Sequence, residues 1–280
     1  SAIVSLRFVG PSLDALHEDI MNLQSSSIKK GRDISLFKKD ISLKHIYYKY
    51  PNASRTALKD IHLTIPARST VGIVGATGSG KTTIVDIILG LLEAKQGTLE
   101  VDSKIIDKNN RRAWQHSIGY VPQQIYLTDD TVAANIAFGI DIKHIDQKAV
   151  ERAAKIANIH DFVSNELSMG YQTTVGERGA RLSGGQRQRI AIARALYNEP
   201  NVLILDEATN ALDNLTEQAV MEAIENLRNK ITIILITHRL STVKKCDNIF
   251  LIDKGELKQE GTFEYLKTIS GMFRETTKNL

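Results

Sequence analysis

The chain has 280 residues, 42% hydrophobic and 24% charged, with a net charge of +4. That length can bury one large or two ordinary cores. The 36 Lys and Arg are interleaved with 32 Asp and Glu, which reads as a mixed solvated surface and not a nucleic-acid stripe. No window approaches the ~18 consecutive apolar residues that cross a bilayer, and no charged-then-apolar leader ends in a small-residue cleavage site, so a soluble chain is expected. The single cysteine, Cys246, excludes an internal disulfide and reads as a small buried hydrophobe in a reducing compartment.

In chain order, "SAIVSLRFVGP" opens without methionine and is read as a cut through a longer protein. "SLDALHEDIMNLQ" then spaces Leu13, Leu16, Ile20 and Leu23 by three and four residues, which predicts a short amphipathic helix capped by Ser12. It is either an ordinary surface helix or the cytoplasmic end of a membrane domain. "SSSIKKGRD" at 25–33 is a linker. The local excess of Lys29, Lys30, Arg32, Lys38 and Lys39 is linker charge or lies near an anionic membrane face. From about Ile41 strands and helices alternate, the pattern of an α/β domain. "ISLKHIYYKY" and "LKDIHLTI" predict an antiparallel sheet; "TVGIVG", "NVLILD" and "ITIILIT" predict buried strands; "TTIVDIILGLL" and "TEQAVMEAIENLR" predict helices. Thr131 to Leu167 has helical composition without strand runs, a helical insertion.

Between the strand TVGIV and the following helix lie Gly75, Ala76, Thr77, Gly78, Ser79, Gly80, Lys81 and Thr82, a G-x-x-x-x-G-K-[ST] phosphate loop, with Thr83 next to it. Glycines let successive amides turn toward one anion while the helix offers its positive end. Lys81 can then neutralise the β and γ phosphates, and the Thr82 hydroxyl can hold Mg²⁺. "NVLILDE" carries Asp206 and Glu207 to the carboxyl end of a buried strand, where ligands of open α/β sheets bind. Asp206 would assist the metal and Glu207 accept a proton from attacking water. "ITIILITH" similarly delivers His238, an imidazole able to reach a γ-phosphate or orient that water.

The run "LSGGQRQRIAIARAL" puts two glycines at the mouth of a helical stretch, bare amides plus a serine hydroxyl at a helix start. With this motif the chain, from about Ile41 onward, resembles the nucleotide-binding domain of an ATP-binding cassette (ABC) transporter. The resemblance implies that Ser183, Gly184, Gly185 and Gln186 grip the γ-phosphate of ATP held by the opposite subunit. It further implies that Tyr50 stacks on adenine, with Tyr47 and Tyr48 as competing neighbours, and that Gln123 touches Mg²⁺, with Gln124 adjoining. "NALD" at 210–213 would cross the dimer interface, Asp213 being its acid and Asn210 standing where serine is common. "TVGERG" at 174–179 resembles an exporter motif that contacts coupling helices, and "LRFVGPSLDALHEDI" resembles the junction in exporters and flippases of lipid-linked oligosaccharides.

The expectation is therefore an α/β phosphate-loop NTPase core, a mostly parallel sheet with flanking helices, carrying an antiparallel β subdomain and a helical subdomain at about 124–198. Residues 1–33 would be the remnant of a membrane-domain extension and linker, and 34–280 the ATPase domain. The implied function is ATP hydrolysis with ATP and Mg²⁺, powering export of a substrate such as a lipid-linked sugar or lipid. The implied partners are a second copy, head to tail, and the transmembrane domain of the full-length chain, at the cytoplasmic face of the inner membrane. The competing class, a soluble ABC ATPase acting on nucleic acid or ribosomes, calls for two cassettes or a long coiled-coil insertion. The sequence has one phosphate loop and one signature, and no nucleic-acid partner is expected. A dead regulatory cassette conflicts with the presence of Glu207 and His238.

Overall fold

The computed structural model describes residues 37–208, 214–240 and 242–269, with isolated positions 13, 14, 17, 271 and 273. Two compact units divide the chain, Ser1–Arg32 and Asp33–Leu280. In the first, positions 13, 14 and 17 are helical; the rest of the helix expected from Ser12 lies outside the described residues.

The second unit contains two sheets. One is antiparallel, ordered β2-β1-β4-β5, from β1 (Asp40–Tyr48), β2 (Leu58–Pro66), β4 (Gln96–Val101) and β5 (Lys104–Ile105). The other has the order β10-β9-β3-β8-β7-β6, from β3 (Thr70–Val74), β6 (Ile118–Val121), β7 (Val202–Asp206), β8 (Thr232–Thr237), β9 (Asn248–Asp253) and β10 (Glu256–Gly261). Its strands are parallel except β10, which pairs antiparallel with β9. The helices are α1 (Lys81–Ile88), α2 (Arg111–His116), α3 (Val132–Ile136), α4 (Gln147–Ile156), α5 (His160–Asn165), α6 (Gly184–Leu196), α7 (Asn214–Glu225) and α8 (Phe263–Ile269).

Continuous apolar runs make the central strands because both faces of the parallel sheet are covered. In β7, Val202 and Ile204 enter a core shared with β1, β2 and α1, while Leu203 and Leu205 enter a second core shared with α3, α4 and α6. β8 divides likewise: Ile234 and Ile236 on one face, Ile233 and Leu235 on the other. The helical insertion thus packs on one side of the sheet and the antiparallel layer on the other. α1 stops earlier than its composition predicts. Gly90, at φ 66, donates to Ile87 O (2.9 Å), and Leu91 N donates to Asp86 O (2.8 Å), the paired bonds of a left-handed glycine terminus. Trp114 Nε1 then donates to Ile88 O (2.7 Å) and Gln115 Nε2 to Leu89 O (3.0 Å), so side chains of α2 satisfy the carbonyls at this helix end.

Candidate active site

Residues 75–80 reverse the chain between β3 and α1, with no room for a side chain at Gly75 or Gly80. A Cβ on Gly75 would lie 2.2 Å from Ile252 O and 2.7 Å from Ser79 Oγ, while Gly80 adopts φ 108. Gly80 also caps α1 without a side-chain acceptor, which leaves the first helical amides available to an anion. Ala76, Thr77, Gly78 and Thr82 are exposed, and the buried Ser79 hydroxyl has no hydrogen-bond partner among the described residues. Lys81 is only 6% exposed. Its Nζ turns back on the loop, donating to Gly75 O (2.9 Å) and Ala76 O (3.0 Å). Burial pulls its pKa below the usual lysine range, with Glu207 and Asp206 opposing.

Strand order brings the remaining candidates to the same edge. β3, β8, β7 and β6 are consecutive neighbours, and their carboxyl ends carry the phosphate loop, His238, Asp206 with Glu207, and Gln123 respectively. Asp206 is buried, and burial followed by the Glu207 charge pushes its carboxyl above the usual range, against Tyr120 and Lys81. Glu207 has φ 48, an uncommon conformation for a side-chain-bearing residue, held by its amide donating to Ile236 O (2.8 Å). That turn aims the carboxylate sideways. Gln123 Nε2 donates to Glu207 Oε2 (2.7 Å), and His238 Nδ1 lies 3.4 Å from Oε1. The glutamine expected to face a metal therefore faces the candidate base in this state.

Tyr120 is a site residue that the sequence reading missed. It pairs with Ile204, so Asp206 projects from the same sheet face one step along, and the Tyr120 hydroxyl lies 3.4 Å from Asp206 Oδ2. Only strand register reveals that pairing. Among the described residues no group of three or more His, Cys, Asp or Glu could hold a metal unaided. Magnesium that borrows phosphate oxygens needs only one or two protein ligands, and the Asp206 carboxylate with the Thr82 hydroxyl fits that requirement.

Tyr50 follows the end of β1 with its hydroxyl 3.2 Å from Thr83 Oγ1, and its ring meets Tyr48 edge-on at 4.9 Å. Tyr48 is buried, whereas Tyr47 and Tyr50 are exposed. Ser183 caps α6: its Oγ accepts from Gln186 N (3.2 Å) and its amide donates to Gln186 Oε1 (2.8 Å). Gly184 and Gly185 are the first two helical residues, whose amides have no intrahelical partner. No hydrogen bond joins residues 183–186 to the phosphate loop among the described residues. "TVGERG" is a folded turn in which Arg178 has φ 53 and Val175 N donates to Asp130 O (3.0 Å). Asp213 and Asn210 lie outside the described residues.

A glycine-built anion loop beside acid- and histidine-tipped parallel strands defines a phosphate-loop nucleoside triphosphatase. The chain belongs to the ABC transporter family, whose profile matches residues 58–210, as its ATP-binding, ATP-hydrolysing domain. It is 41% identical over 255 residues to the ATP-dependent lipid A-core flippase of Saccharophagus degradans, covering 91% of this chain and 43% of that protein. It is 40% identical over 260 residues to ABC transporter B family member 29, chloroplastic, of Arabidopsis thaliana, covering 92% and 41%. The structure of a bacterial Atm1-family ABC exporter with ATP bound superposes with a TM-score of 0.85 at 32% identity, over 98% of this chain and 48% of that one. The chain spans less than half the length of these relatives.

Proposed function

We propose that this domain powers an exporter of an amphipathic, lipid-like substrate, two copies clasping two ATP molecules head to tail beneath a transmembrane domain at the cytoplasmic face of the membrane. The reading rests chiefly on one observation: Lys81, His238, Asp206, Glu207 and Gln123 meet at one sheet edge, while Ser183, Gly184 and Gly185 form a second anion-directed helix start with no hydrogen bond to it among the described residues. A second copy supplies the missing half of the enclosure. The names of the flippase and exporter relatives support the direction and the substrate class.

In this mechanism the loop amides and Lys81 hold the β and γ phosphates, and Tyr50 stacks on the base. Thr82 and Asp206 would hold Mg²⁺, with Gln123 at its rim; the metal would neutralise developing phosphate charge. Glu207 accepts the proton of the attacking water, and His238 orients that water and the γ-phosphate. Ser183, Gly184, Gly185 and Gln186 of the second copy close over the phosphate, and Asp213 lies at the interface between copies. Removing the base traps the clasped state. Glu207→Gln protein is expected to lose at least about a hundredfold in turnover and to shift to twice the monomer mass with ATP and Mg²⁺ in light scattering. A variant that binds ATP yet stays wholly monomeric at high concentration overturns the reading.

A further inference from the structure

The signature helix and the Gln123 loop are tied by one side chain. Arg194, eleven residues after Ser183 on α6 and about 16 Å along the helix axis, is half-buried and sends its guanidinium across to the segment that follows Gln123. Nη1 donates to Tyr126 O (2.9 Å), Nε to Asn135 O (2.7 Å) and Nη2 to Asn135 Oδ1 (3.0 Å). The guanidinium also lies 4.7 Å from the Phe138 ring centroid. Fully buried Asn135 extends the tie, its Nδ2 donating to Thr128 O and Thr131 O (3.0 Å each) and its Oδ1 accepting from Thr128 N (3.0 Å).

Among the described residues, the partners of this cation are carbonyls, an amide oxygen and a ring face, all on residues 126–138. Three acceptors in three directions suit a rigid planar fork and not a point charge. The same helix begins with the capping box at Ser183, and the same loop begins three residues before Tyr126 at Gln123, which grips Glu207. Residues 126–135 and α6 are therefore bonded to one another, with the glutamine just before this segment and the serine and glycines at the start of the helix.

We infer that Arg194 is a positioning residue that fixes the signature motif relative to the Gln123 loop, so that a change at Gln123 in one ATP site is carried to the Ser183 end that closes the site on the opposite copy. The inference rests on the head-to-tail reading above. The guanidinium of Arg194 bonds to Tyr126 and Asn135 and not to the phosphate loop; it acts through Ser183.

The test uses the Glu207→Gln protein with ATP and Mg²⁺, reading ATP affinity at dilutions where it is monomeric, and the protein concentration at which half is dimeric. Adding Arg194→Met is expected to leave monomer affinity within twofold and to raise that half-dimer concentration at least tenfold. Arg194→Lys, a milder change for the fold, is expected to raise it by a smaller factor. In a Ser183→Ala background, Arg194→Met is expected to add less than twofold, because both changes remove the same effect. Losses that multiply independently, a matching loss of monomer affinity, or unaltered dimerisation in both Arg194 variants each overturn the inference. Should the Glu207→Gln protein itself stay monomeric with ATP bound, the head-to-tail reading fails first and this inference falls with it.

Discussion

At the scale of single residues, the site keeps charges where folding alone would not place them. Asp206 is 5% exposed, and its carboxyl is pushed above the usual range by burial and by Glu207. An acid raised in the folded state is bound more tightly by its proton there than in the unfolded chain. The stability this gives is complete below the unfolded pKa and is lost as pH climbs through the folded one, so the ionised form of Asp206 is a net cost to folding. Asp206→Asn is thus expected to raise the melting temperature of nucleotide-free protein at pH 7. The gap should narrow toward pH 4, and Mg²⁺-dependent turnover should disappear. A melting temperature at or below wild type in calorimetry would show that the buried charge carries no such cost. The strained φ of Glu207 belongs with this pattern, local cost kept where the chemistry is proposed to happen.

At the scale of elements, α1 gives a clean separation of stability from binding. Gly90 ends the helix at φ 66, and a Cβ there would lie 3.0 Å from the flexible Arg111 Cγ. Gly90→Ala should cost about 1 kcal/mol, from the left-handed backbone conformation, and lower the melting temperature by about 2–4 °C. ATP affinity by titration should stay unchanged, because the end of α1 proposed to meet phosphate is Gly80; a tenfold loss would contradict that independence. The same helix marks the limit of what the sequence reveals. Its start, where phosphate binding is proposed, is legible, since that turn needs Gly75 and Gly80. Its end is not, because apolar composition runs on through Leu92, which packs against the core from a turn and not from a helix. β3, β7 and β8 are equally legible, being apolar on both faces with chemistry at their tips. β4, part-exposed with only Leu99 and Val101 buried, escaped the reading, as did β9 and β10. Ser183 to Gln186 spells a capping box and could have been read as one. The bonds Gln123 to Glu207 and Arg194 to Tyr126 span 84 and 68 residues, and only tertiary placement produces them.

For the whole molecule, the division at Arg32 and Asp33 makes the second unit a candidate for independent folding. Its entry is clamped: the Asp102 carboxylate accepts the amides of Lys38 (2.9 Å), Lys39 (2.7 Å) and Asp40 (3.3 Å). A chain of residues 34–280 is expected to melt within about 2 °C of the full chain, and to bind ATP equally; a collapse of the thermal transition would place essential packing in the first unit. Larger consequences follow from Lys81 gripping its own loop and Gln123 gripping Glu207. In the proposed mechanism fuel does not enter an idle engine but trades places with bonds already made, so its hold is a difference between two good arrangements. A motor assembled this way can seize its charge firmly enough to fire and still let go of the ash.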